Sequence, residues 1–177
     1  MGRVKTTGLR IMQYPHPALR QVGESIEAID EDIKALAKQM LELMHQAKGV
    51  GLAAPQVDSC VRLFVCNPTG NEWDDHVYVN PGLLEASGAE EREEGCLSIP
   101  NVTVTMRRAT NVVIEALDLE GRVVRRPASD LEARVVQHEL DHLDGRLIID
   151  NMSATDEMAN RKALKKLEEE FRNAKRL

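Results

Sequence analysis

The chain has 177 residues, 42% hydrophobic and 29% charged, with a net charge of −6. That length suits one domain covering residues 1–177, and the acidic balance excludes a general nucleic-acid binder while leaving room for a local basic patch. Three cysteines are too few, and odd in number, for a disulfide framework.

No apolar run approaches a membrane span. Arg3, Lys5 and Arg10 precede no apolar stretch of the kind a secretory signal needs. A reducing cytoplasm is the expected compartment, and an organelle form stripped of its presequence is also compatible.

Residues 1–28 read as irregular. In Tyr14-Pro15-His16-Pro17 each proline biases its predecessor away from helical angles, so His16 reads as a turn residue. A helix is predicted from about Asp30, a plausible N-cap, to Lys48, with Ile33, Leu36, Ala37, Met40, Leu41, Met44 and Ala47 as its buried stripe and Gly49 as its stop. The segment Gly49-Val50-Gly51-Leu52-Ala53-Ala54-Pro55-Gln56 reads as tight turns with bare backbone. Gln56 offers two side-chain donors of the kind an oxyanion pocket uses.

The period then changes. Val61–Cys66, Val77–Val79, Val102–Met106, Val112–Leu117 and Val123–Arg126 read as strands, the second ending at Asn80-Pro81. Asp118 to Gly121 carries hairpin chemistry. Cys60 and Cys66 read as small core or near-surface residues, and His45 and His76 as surface residues.

A second helix is predicted near Ser129, where Ser129-Asp130-Leu131-Glu132 fits a capping box, with a stop at Gly145. A short strand, Leu147–Ile149, follows. The last helix runs from about Ala154 to Lys175 with Met158, Leu164, Leu167 and Phe171 on one face. The sum predicts an α+β fold, its antiparallel strands grouped in the middle and not alternating with helices.

The second helix carries His138-Glu139-Leu140-Asp141-His142, an H-E-x-x-H pattern. Residues four apart share a helix face, so two imidazoles can reach one metal ion. Glu139 stands beside the metal, where a base takes a proton from water. A catalytic site needs a third protein ligand. Cys96, in Glu94-Gly95-Cys96-Leu97-Ser98, stands out by context, although alone it reads equally well as a small buried cysteine. Two imidazoles and a thiolate suit zinc or iron(II).

The three motifs GVGLAAPQ at 49–56, EGCLS at 94–98 and QHELDH at 137–142 resemble, in order and spacing, those of the peptide deformylases, and YPHPALR at 14–20 extends the resemblance over nearly the whole chain. The resemblance implies an α+β fold with antiparallel strands packed around the H-E-x-x-H helix, flanked by N-terminal and C-terminal helices. It implies a hydrolase that removes the formyl group from the N-terminal formyl-methionine of nascent polypeptides. It assigns one divalent metal ion, iron(II) first and zinc, nickel or cobalt in purified forms, to Cys96, His138 and His142. Glu139 becomes the base, and Gln56 and the Leu97 N–H the donors to the developing oxyanion. Val50, Val135 and the stem of Arg134 would line the methionine pocket, and Gly51 would pair with the substrate backbone.

Glu94 is expected to pair with Arg108 and fix the metal loop. Some members carry an arginine near position 103; here it is Thr103. The C-terminal helix is locally basic through Arg161, Lys162, Lys165, Lys166, Arg172, Lys175 and Arg176, which reads either as a solvated face or as a ribosome-docking surface. A metalloprotease and a closed structural zinc site are the rival readings. The first would place its third ligand downstream of His142, and the second would need a fourth protein ligand.

Overall fold

The computed structural model describes residues 4–175, the side chain of Glu72 apart. Arg3 of the basic N-terminal run and Arg176 of the C-terminal helix therefore lie outside the described residues. Helix α1 spans Glu31–Gln46; Asp30 caps it by accepting from the Ile33 N–H at 3.0 Å, and Glu31 and Asp32 complement the dipole of its first turn.

The strands are β1 (Gly51–Ala53), β2 (Leu63–Cys66), β3 (His76–Ser87), β4 (Glu90–Cys96), β5 (Ile99–Arg108), β6 (Asn111–Leu117) and β7 (Val123–Ser129). Two helices complete the chain, α2 (Asp130–Leu143) and α3 (Ala154–Ala174). A five-stranded antiparallel sheet has the order β1-β2-β3-β6-β7, and β4 and β5 form a separate antiparallel hairpin.

The sheet is covered on both faces. Leu63 and Val65 of β2 point to α1 and pack with Leu36, Met40 and Met44; Phe64 and Cys66 point the other way, to Val136, Leu140 and Leu143 of α2. Burial on both sides explains why β2 is a continuous apolar run. A third cluster joins Val102 and Val104 of β5 to Leu167 of α3 and to Met12, Leu19 and Ile148. Helix α2 is thus held between the sheet and the hairpin, and Gln137 bonds the Ala109 backbone just past the end of β5 (3.0 and 2.9 Å).

Several sequence expectations are corrected. β3 does not end at Asn80-Pro81. It continues to Ser87 across register shifts, with Asn80 at φ +50° and its side chain bonded to both backbone groups of Ile26 at 2.8 Å. Residues 90–96 form β4 even though they carry no apolar alternation, because this outlying hairpin buries only Glu94 from that strand. Residues 148–151 form a 3-10 turn where a strand was expected, held by the Leu147 N–H donating to Asp150 at 2.8 Å.

The predicted capping box at Ser129 does not form. Ser129 still pairs with Asn111 in β7, and the Asp130 N–H donates to the Thr110 carbonyl at 2.9 Å with Asp130 at φ +51°. On α3, Met158 is exposed and Asn160 is buried in its stead. The 49–56 segment is more regular than bare turns, being strand β1 followed by a 3-10 turn.

Candidate active site

Helix α2 supplies several of the site's polar side chains. Arg134, His138, Asp141 and His142 recur at three- and four-residue spacing, so they share the face turned toward the β4–β5 hairpin. His142 Nε2 lies 3.2 Å from His138 Nε2 and 3.2 Å from Cys96 Sγ, and the three donor atoms fall within 4.8 Å of one another. Ligands about 2.0–2.3 Å from a tetrahedral ion stand roughly 3.3–3.6 Å apart, so the donor spacing fits a single metal ion. The donor set, one sulfur and two imidazoles, is also that of a site keeping an open fourth position.

Cys96 reaches the helix because β4 ends there. It pairs with Ile99, and Gly95 pairs with Thr103. Its sulfur accepts from Gln56 Nε2 at 3.6 Å. Gln56 is 2% exposed and is fixed at both ends of its amide: Oε1 accepts from the Ala53 N–H at 2.8 Å, and Nε2 donates to Ser98 Oγ at 3.0 Å.

Glu94 is the hub behind the metal ligands. It receives Arg108 in a two-bonded fork at 2.9 and 2.9 Å, Arg134 at 2.6 Å, and His138 Nδ1 at 3.1 Å. A carboxylate only accepts, so His138 carries a hydrogen on Nδ1, which turns Nε2 toward the site. Arg108 also donates to Asp141 at 2.5 Å. Burial opposes the Glu94 charge, but the hydrogen bonds from His138 and Arg108 outweigh it and hold the carboxyl at about 2. The expected Glu94–Arg108 pair is present. The parts played by Arg134 and Asp141 were missed, although their spacing from His138 (minus four and plus three) was the available signal.

Burial disfavours charge on His142 and moves its pKa well below the ordinary histidine value, with His138 adding to the effect. That favours the neutral ring a metal needs. His138 moves the other way: burial opposes its charge, but hydrogen bonds to Cys96 and Glu94 and the nearby Glu139 prevail. The two shifts have different origins: Cys96, Glu94 and Glu139 favour charge on His138, whereas burial and the repulsion of His138 and Arg108 keep His142 neutral.

Glu139 is 3% exposed, and its Oε2 has no hydrogen-bond partner. Burial pushes its carboxyl up to about 7. A Cβ on Gly51 would collide with Glu139 Oε1 and stand 2.9 Å from its Cδ, so any larger residue there would have to displace the Glu139 carboxylate. Around these groups lies a cavity of about 580 Å³. Val50, Gly51, Gln56, Cys96, Leu97, Val135, His138 and Glu139, all singled out in the sequence, line it; Leu131, which was not, joins them. His142 sits behind the wall. Val50 and Leu131 are partly exposed at the rim, and Val135 is buried. Arg134 lines the cavity too, but its guanidinium is spent on Glu94 and on the Met106 and Glu90 carbonyls. His16, His45 and His76 are elsewhere; His45 bonds Asp75 and His76 bonds Asp74.

Residues 9–158 match the family model described as polypeptide deformylase. The chain belongs to the peptide deformylase family. It is 40% identical over 160 residues to the peptide deformylase of Hamiltonella defensa, covering 90% of this chain and 94% of that protein. Against that of Rhodopirellula baltica it is 40% identical over 120 residues, 67% of this chain and 60% of that one. The crystal structure of a plant peptide deformylase superposes with a TM-score of 0.91 at 37% identity, covering 97% of this chain and 95% of that one. Peptide deformylases are metal-dependent hydrolases that remove N-formyl groups from nascent peptides, and this chain is an enzyme of that kind. Among the described residues no helix is long and apolar enough to cross a membrane.

Proposed function

We propose that Cys96, His138 and His142 hold the metal of this deformylase, that the ion is iron(II) in the cell, and that zinc, nickel or cobalt can replace it in purified protein. The observation that carries this reading is the convergence of the three donors beside a buried carboxylate oxygen without a partner. A divalent ion bound there supplies Lewis acidity, acidifying water and polarising the formyl carbonyl.

Glu139 Oε2 takes the proton from the attacking water and returns one to the departing amine. A carboxyl near neutrality is suited to both transfers. Gln56 Nε2 and the Leu97 N–H donate to the formyl oxygen as it becomes negative. Ser98 and Ala53 hold the Gln56 amide from either side, so little reorganisation is needed.

The methionine side chain enters the apolar part of the cavity between Val50, Leu131 and Val135. β1 lies at the edge of its sheet, and Gly51 offers its backbone to the substrate there. The whole chain works as one catalytic unit in the cytoplasm, and the basic face of α3 is its contact with the ribosome. Against a metalloprotease stands the third ligand, which lies upstream of the H-E-x-x-H helix.

The test is formate release from a short formyl-methionyl peptide by protein purified without oxygen, with bound metal measured in the same sample. Turnover with about one divalent ion per chain, highest for iron, supports the reading. Full metal occupancy without formate, in iron-loaded and nickel-loaded samples alike, overturns it. Ribosome co-sedimentation unchanged by deleting residues 160–177 removes the docking role.

A further inference from the structure

The β4–β5 hairpin carries an irregularity at the cavity. Cys96 pairs with Ile99, yet the preceding Gly95 pairs with Thr103. One step along β4 thus spans four along β5, and Pro100, Asn101 and Val102 bulge out of the ladder. Asn101 takes φ +62°, a conformation that costs free energy for a residue with a side chain. All three residues line the active-site cavity. Pro100 and Asn101 also line a groove beside α3, with Ala159, Lys162, Ala163 and Lys166. The bulge is therefore the sill between the catalytic cavity and the surface beyond it.

The inner end of the bulge is held by the pairing at Ile99. Its outer end is held by α3. Asn160, 6% exposed, accepts from the Thr103 N–H at 3.3 Å and donates to the Thr103 carbonyl at 2.7 Å; the same Nδ2 donates to the Asp156 carbonyl at 2.9 Å. In an antiparallel ladder the N–H and C=O of one residue point to the same side. Thr103 turns both away from Gly95, and the Asn160 carboxamide meets them as the peptide group of a third strand would.

We propose that Asn160 is a positioning residue for the peptide substrate: by clamping Thr103 it fixes the 100–103 bulge as the wall over which residues downstream of the formyl-methionine pass. This rests on the deformylase reading above. Asn160 touches no reacting group. The metal ligands are fixed independently, Cys96 by Ile99 and Gln56, and His138 by Glu94. The clamp therefore governs binding of longer substrates and leaves the chemical step alone.

The experiment compares a formyl-methionyl dipeptide with a formyl-methionyl hexapeptide, both with metal-loaded full-length protein. Asn160→Ala removes the clamp. Asn160→Asp keeps the acceptor for the Thr103 N–H but sets an oxygen against its carbonyl. Leu167→Ala is the control, since it loosens the packing of α3 on β5 without touching Thr103. Expected for both Asn160 variants is a KM for the hexapeptide raised roughly three- to tenfold, the scale of one or two lost hydrogen bonds. Their kcat should stay within about twofold and their dipeptide KM should be unchanged, and Leu167→Ala should show no such length dependence. Equal effects on both peptides, no effect on either, or the same split in Leu167→Ala would overturn the inference while leaving the activity standing. Wild-type protein that releases no formate from either peptide overturns the deformylase reading and the inference with it.

Discussion

Helix α2 buries Arg134, Glu139 and His142, whereas α3 turns nearly all of its charge to solvent. Each buried charge on α2 either has a partner or faces the cavity: Arg134 has Glu94 and two carbonyls, and Glu139 opens onto the pocket. On α3 the Lys165–Glu169 and Lys166–Glu170 pairs stand at 3.9 and 3.7 Å with every side chain more than half exposed. Removing a charge from water costs several kcal/mol, while an exposed pair changes little. By sequence α3 is the more charged of the two helices, but it is α2 that takes charged groups out of water at a cost, and that cost marks the chemistry.

The sharpest way to break this contrast is Glu139→Ala. It should lower kcat on a formyl-methionyl peptide by roughly 10²–10⁴-fold while bound metal is retained. Metal lost in parallel with activity would mean that Glu139 supports the site and does not act in the reaction.

Next is Arg108→Ala, which leaves Glu94 and Asp141 without their shared cation. Denaturant unfolding should show a loss below the roughly 3–5 kcal/mol of an outright stranded buried charge, because Arg134 and His138 still reach Glu94. Metal retention should fall by about 10–100-fold, because Glu94 orients His138. Unchanged stability would mean that Arg134 alone neutralises the hub.

A smaller effect lies at the exposed Arg20–Asp150 pair. Burial opposes the Asp150 charge, but Arg20 (two bonds of 2.7 Å) and the Leu147 N–H hold its carboxyl below the usual value. A depressed folded pKa stabilises the protein above the unfolded value, near 4, and that contribution is lost as pH falls through the folded value. Arg20→Ala should cost about 0.2–1 kcal/mol at neutral pH, and its melting temperature should converge on that of the wild type as pH drops below about 4. A constant gap across that range would assign the loss to packing.

The smallest is Lys166→Ala on α3, expected to change stability by no more than about 0.5 kcal/mol. A larger loss would mean that α3 is not the passive helix its exposed charges suggest.

The parts of the fold that were legible in the sequence are those whose residues report their own surroundings. The α1 stripe, the β2 run and the H-E-x-x-H spacing each encode burial or geometry locally. β4 was not legible because a two-stranded hairpin exposed along most of its length needs no apolar alternation, and Glu91, Arg92 and Glu93 look like any solvated loop. Ser129 misled because cap chemistry depends on where the preceding strand stops, and Ser129 is still inside it. At the site, Cys96, His138, His142, Glu139 and Gln56 were all readable as candidates, and the structure places them around one cavity or at its wall. The Arg134 contact with Glu94 and the Asn160 contact with Thr103 join elements 40 and 57 residues apart in sequence. No local pattern announces such contacts.

Strand β1 is only three residues long, about 10 Å of backbone, and it lies so close to the Glu139 carboxylate that a methyl group on Gly51 would push that carboxylate aside. A ladder this short would hold no more than the first residues of a polypeptide laid along it, and beside Gly51 that edge leaves room for backbone where any side chain would press on the carboxylate.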